Sequence, residues 1–205
     1  MELQLPSLSS RDVDHFLLGF HDVAAEERAG YIQRLRSITR LGFPTGLSIG
    51  KGHPARYHAD QFFQLLAVTE LYRCHVAPLQ AVKLVTSSWQ AMQSSIIAVW
   101  ESVDAGEHGR LLEAPRKFWR VPAEGGQRQT RIAGAADAPV TERIVVIGRE
   151  QVDALIDSGD LLTHCHIFID VSKLVGGAFN HLKWGASPMS AEQIACFMSG
   201  MGRTR

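Results

Sequence analysis

Residues 28–58, RAGYIQRLRSITRLGFPTGLSIGKGHPARYH, decide how the chain is read. Up to Leu41 the apolar positions Ile32, Leu35, Ile38 and Leu41 fall at three-residue steps, which predicts a helix over about 24–41. Gly42 and Pro44 then act as stop signals, and Arg34, Arg36 and Arg40 lie on the helix's other face. From Gly42 to His58, four glycines and two prolines surround the short apolar segment Leu47–Ile49. That composition suits a tight hairpin and not a helix, because glycine and proline supply turn conformations that a helix interior excludes.

Outward from this stretch the pattern is regular. On the N-terminal side, Val13, Phe16, Leu17 and Phe20 predict a helix over 11–20, with Ser9 or Ser10 as its cap. On the C-terminal side, Phe62, Leu65, Leu66, Thr69 and Leu71 predict an amphipathic helix over about 59–74. Pro78 opens a longer helix that runs to about Val103. Leu79, Val82, Val85, Trp89, Met92, Ile96, Val99 and Trp100 recur along it at three and four residues. Such a stripe forms a dimer seam, or else it is buried against the chain's own C-terminal half.

After Asp104 the composition changes. Strands are expected at 117–121, 129–133, 143–147 and 166–171, and helices at 150–158 and 172–184. Residues 186–205 are rich in small residues, with one short apolar patch at 194–198, and are expected to be partly disordered. The fold class is therefore α+β. Residues 1–104 form a helical N-terminal domain with a long linking helix, and residues 105–185 form a small α+β domain.

Charge narrows the function. The chain is neutral overall, but residues 28–83 hold eight basic side chains against two acidic ones. The 27 residues before them hold one basic and six acidic. A basic block in a neutral protein indicates a localised face for a polyanion; the alternative is a solvated basic surface. No apolar run approaches the ~20 residues of a membrane span, and the N-terminus lacks the pattern of a secretory signal, so a cytoplasmic protein is expected. Three cysteines without CxxC spacing indicate neither a disulfide framework nor a cysteine metal site.

The order helix, helix, hairpin, helix, helix, with basic charge on the second helix and the hairpin, is that of a winged helix-turn-helix, in which one helix enters the major groove of DNA. Leu35-Arg36-Ser37-Ile38-Thr39-Arg40-Leu41-Gly42-Phe43 resembles the end of the second helix in the MerR family, where an arginine lies six residues before a glycine. Arg56-Tyr57 followed by Asp60, Phe62 and Leu65 is similar to that family's wing exit, and Val76-Ala77-Pro78 to its turn into the fourth helix. The resemblance spans about residues 11–86. Ser37 and Ile38 stand where the family usually has aromatic residues, and Arg56 lies one residue closer to the tyrosine.

The resemblance implies a double-stranded DNA-binding bacterial transcription regulator that acts as a homodimer and is not an enzyme. Candidate DNA contacts are Arg28, Arg34, Arg36 and Arg40 on the second helix, and Lys51, His53, Arg56 and Tyr57 in or beside the hairpin. A guanidinium donates two parallel hydrogen bonds that fit a phosphate or a guanine edge. The C-terminal domain would serve dimerisation, effector sensing, or contact with RNA polymerase or another protein. No cofactor is implied. His164, Cys165, His166 and Asp170 form a weak candidate metal cluster, which makes a metal-responsive sensor one alternative. A protein-interaction module built on the same fold is the other. No nucleophile elbow, phosphate loop or GxGxxG turn supports an enzyme.

Overall fold

A computed structural model describes residues 6–47, 55–103, 107, 110–111, 116–122, 143–158 and 166–202. Strand β1 (Leu8–Ser9) leads directly into helix α1 (Ser10–Phe20). Ser9 caps that helix reciprocally: its hydroxyl oxygen accepts from the Asp12 amide at 3.2 Å, and its own amide donates to the Asp12 carboxylate at 3.0 Å. A turn of 3₁₀ helix, Ala25–Glu27, precedes α2 (Arg28–Arg40). Leu41 and Gly42 close α2 with amide bonds back to Ile38 and Thr39, and Gly42 takes a φ of 76°, a conformation open to glycine.

The buried face of α2 is Tyr31, Leu35 and Ile38, while Ile32 is half-buried and Leu41 is 53% exposed. This corrects the three-residue spacing read from the sequence. A 3.6-residue turn carries a strict three-residue series off the buried side, and the i, i+4, i+7 set wins.

Strand β2 (Arg56–Tyr57) pairs antiparallel with β1, Leu8 opposite Tyr57 and Ser9 opposite Arg56. Residues 48–54 of the expected hairpin lie outside the described residues. Helices α3 (Ala59–Arg73) and α4 (Pro78–Glu101) follow. Twelve of the fifteen residues of α3 are buried, so it is the central helix and not the amphipathic surface helix its sequence suggests. Its polar residues are satisfied internally. Gln61 accepts from the His58 amide at 2.8 Å, Gln64 accepts from the Thr45 amide at 3.0 Å, and Thr69 donates to the Leu66 carbonyl at 2.8 Å.

The second sheet runs β4-β3-β5, all antiparallel, with β3 at Lys117–Pro122, β4 at Val145–Gly148 and β5 at His166–Asp170. Helix α5 (Arg149–Asp157) covers its outer side, with Val152 of the helix clustered with Phe118 and Ile147 of the sheet. The inner side packs on α4 and on α6 (Val171–Trp184). Two buried serines of α4 receive it: Ser95 accepts from the Trp119 indole at 2.8 Å, and Ser88 accepts from the Ile144 amide at 2.9 Å. The buried positions of α4 are thus taken up within the chain, against α3, α6 and the sheet. The strand expected at 129–133 lies outside the described residues.

The last helix, α7 (Ala191–Ser199), overturns the expectation of a disordered tail for residues 186–202. It is capped by Ser190 and buries Ile194, Phe197 and Met198, with the Phe197 ring 5.8 Å from that of Phe62 on α3. One hydrophobic cluster contains residues from Leu8 through Met201, so the boundary expected near residue 104 coincides with no break in the core. The architecture is mixed α+β with two small sheets.

Candidate nucleic-acid interface and adjoining cavity

Helix α2 separates the arginines by face. Opposite Tyr31, Leu35 and Ile38, the side chains of Gln33, Arg36, Ser37 and Arg40 are exposed at i, i+3, i+4 and i+7, a continuous stripe along one side. Arg34 lies elsewhere, its guanidinium 5.9 Å from the Tyr31 ring centroid and 5.5 Å from that of Tyr72 on α3. Arg28 is exposed at the start of the helix and donates from Nε to the Val23 carbonyl at 3.4 Å. Arg56 is exposed on β2, but Tyr57 is 5% exposed and belongs to the core. Burial, then the charge of Asp14, pushes the Tyr57 phenol above its ordinary range. Lys51 and His53 lie outside the described residues.

Acidic residues of α1 come up against this basic surface. Burial raises the Asp14 carboxyl, and the opposing pull of Arg36 and His15 is weaker. The Ser9 hydroxyl and amide, Ser187 and Arg56 together hold Asp12 low against the effect of its partial burial. The segregation of charge along the sequence is therefore partly undone in space: Arg36 and Arg56 each have an α1 carboxylate in range.

Behind α2 lies an open cavity of about 520 Å³, between the turns that follow α1 and α3. Its floor is a buried polar network. His21 Nε2 stands 3.0 Å from Thr69 Oγ1, and since Thr69 gives its proton to Leu66, the imidazole donates there. His21 Nδ1 is 3.2 Å from both Glu70 Oε1 and an Arg73 nitrogen, so it accepts from arginine when neutral and donates to glutamate when protonated. Burial works to raise the Glu70 carboxyl, but His21 and Arg73 outweigh it and hold the group below its ordinary range. The Tyr31 hydroxyl is buried near Thr69, and burial, outweighing that contact, pushes its pKa far above the ordinary phenol value.

At the rim, Asp22 and His75 adopt φ of 47° and 63°. Each follows a helix end whose next amide reaches back, Val23 to Leu18 at 2.9 Å and Val76 to Leu71 at 3.1 Å, a closure in which glycine is the usual occupant. Sequence reading missed this site because its parts are spread over residues 21–34 and 69–77. The signal that was available is the absence of glycine after α1 and α3.

His164 and Cys165 of the candidate metal cluster lie outside the described residues. Asp170 accepts from the Lys173 amide at 3.1 Å as the cap of α6. Among the described residues no group of three His, Cys, Asp or Glu side chains is placed to hold a metal, and no helix is long and apolar enough to cross a membrane. Comparison of the chain with protein-family models, curated proteins and solved structures finds no match.

Proposed function

We propose that this chain is a sequence-reading, double-stranded DNA-binding regulator of the MerR-like winged helix-turn-helix type, non-enzymatic, cytoplasmic and acting as a homodimer. The observation that carries the reading is the exposed Gln33–Arg36–Ser37–Arg40 stripe on α2, with exposed Arg56 on the short strand pair. Arginine and glutamine are the side chains that read guanine and adenine edges bidentately, and serine suits either bases or phosphates. Arg36, Arg40 and Arg56 are the assigned contacts. Two such modules in a dimer would supply the affinity a genomic site requires. The C-terminal half would hold the dimer or contact RNA polymerase or another protein.

Fluorescence anisotropy with genomic fragments and a random duplex, at two salt concentrations, tests the proposal. Binding should prefer some fragments and fall steeply with salt. Arg36→Ala and Arg40→Ala should each weaken it and reduce the slope against log salt by about one unit or less. Absence of binding to every duplex at low salt would discard the reading. The alternative of a protein-docking module is favoured by a different observation, Trp184 at 76% exposure beside Lys183. A partner bound through such an apolar contact would be held with little salt dependence.

A further inference from the structure

We propose that the cavity behind α2 binds a small zwitterion of the α-amino-acid class, its carboxylate on Arg34 and its ammonium on Asp22 and Glu27. The argument begins with unmatched charge. Arg34, Asp22 and Glu27 are all exposed at this one cavity, yet among the described residues none of them forms an ion pair. Arg73, in the same cavity wall, is instead paired with Glu70, which also meets His21.

Arg34 is also placed for the task. Its guanidinium lies 5.9 Å and 5.5 Å from the centroids of two tyrosine rings, and among the described residues it makes no hydrogen bond or ion pair, so its N–H groups can meet a carboxylate. A simple anion would meet Asp22 and Glu27 as like charges, and a simple cation would meet Arg34. A molecule carrying both signs a few bonds apart satisfies all three. Val23, Tyr72 and Val76 supply apolar wall for its side chain, and the volume of about 520 Å³ lies in the range of small-molecule sites.

The site has a regulatory consequence that rests on the DNA-binding reading. Tyr31 and Arg34 reach the cavity from α2 and Glu27 from the 3₁₀ turn before it, whereas the remaining lining comes from the turn after α1, from the end of α3 and from the turn after α3. An occupant would therefore tie the proposed reading helix to its two neighbours from behind.

Isothermal titration of the purified full chain, without DNA, with each proteinogenic L-amino acid up to about 10 mM tests the site itself. At least one should bind saturably. Its N-acetyl derivative and its decarboxylated amine should each bind at least about tenfold more weakly, since each lacks one of the two charges. Arg34→Met, which keeps a long side chain over the tyrosines, should weaken binding about tenfold or more, and Glu27→Gln should weaken it independently, with circular dichroism unchanged in both. No saturable binding by any amino acid, equal binding of the single-charge derivatives, or unchanged affinity in both variants overturns the proposal. Since the heat is read on protein alone, a failure here leaves the DNA-binding proposal standing, and a failure of DNA binding leaves this result standing.

Discussion

At the scale of single residues, two side chains carry a cost that the fold retains, and a third sets a pH dependence. Tyr31 buries a hydroxyl that, among the described residues, lies near Thr69 without a well-formed hydrogen bond, and removing such a group spares its desolvation penalty. Tyr31→Phe is expected to stabilise the protein by about 1 kcal/mol in urea denaturation. His75 sits at positive φ where glycine is at ease, and His75→Gly should also stabilise the protein, by about 0.5–1 kcal/mol after the greater freedom of the unfolded glycine is counted. Glu70 sets a pH dependence. Its carboxyl is held below its ordinary value of 4.5, so the stability it contributes is present above that value and is lost as pH falls through the lower folded value. Denaturation midpoints measured from about pH 6 down to about pH 3 should fall less steeply in Glu70→Gln than in the parent chain.

Elements were the most legible level, because periodicity and end signals are local. Pro78 opens a helix, Gly42 closes one, Ser9 caps one, and each does so where the sequence places it. What the sequence conceals is which polar residues are buried. Gln61 and Gln64 fall outside the apolar positions that predicted α3, yet each finds a partner inside, and one helix is enclosed on nearly all sides. The candidate interface was legible in part. Arg36 and Arg40 share the exposed stripe, but Arg34 differs from Arg36 by two residues, about half a helical turn, and so faces elsewhere. The acid on α1 was seen as a separate block when it in fact opposes Arg36. Removing it should help a polyanion approach: Asp14→Asn is expected to tighten binding to a random duplex severalfold at low salt, read by anisotropy.

Across the whole molecule, the two halves share one core. The hydrogen bonds from Trp119 and Ile144 to serines of α4, and the contact of α7 with α3, cross the boundary that a change in composition suggested. A composition shift records a change from helices to strands and carries no information on whether the two parts cover each other. Phe197 is 1% exposed against Phe62, and Phe197→Ala should cost about 3–5 kcal/mol and lower a single, whole-chain thermal transition instead of melting the C-terminus alone.

The Gly202 amide donates to the Asp60 carboxylate at 3.0 Å, on the first turn of α3. A ribosome making this chain completes α3 long before it delivers the residues that cover it. At about 5–20 residues per second, the stretch from the end of α3 to Phe197 takes about 6–25 s to synthesise, and the side of Phe62 that Phe197 covers stays open throughout. A nascent chain in that interval offers an apolar surface to chaperones, and stalled or prematurely terminated products lacking α7 would be the species most prone to aggregate or to be degraded.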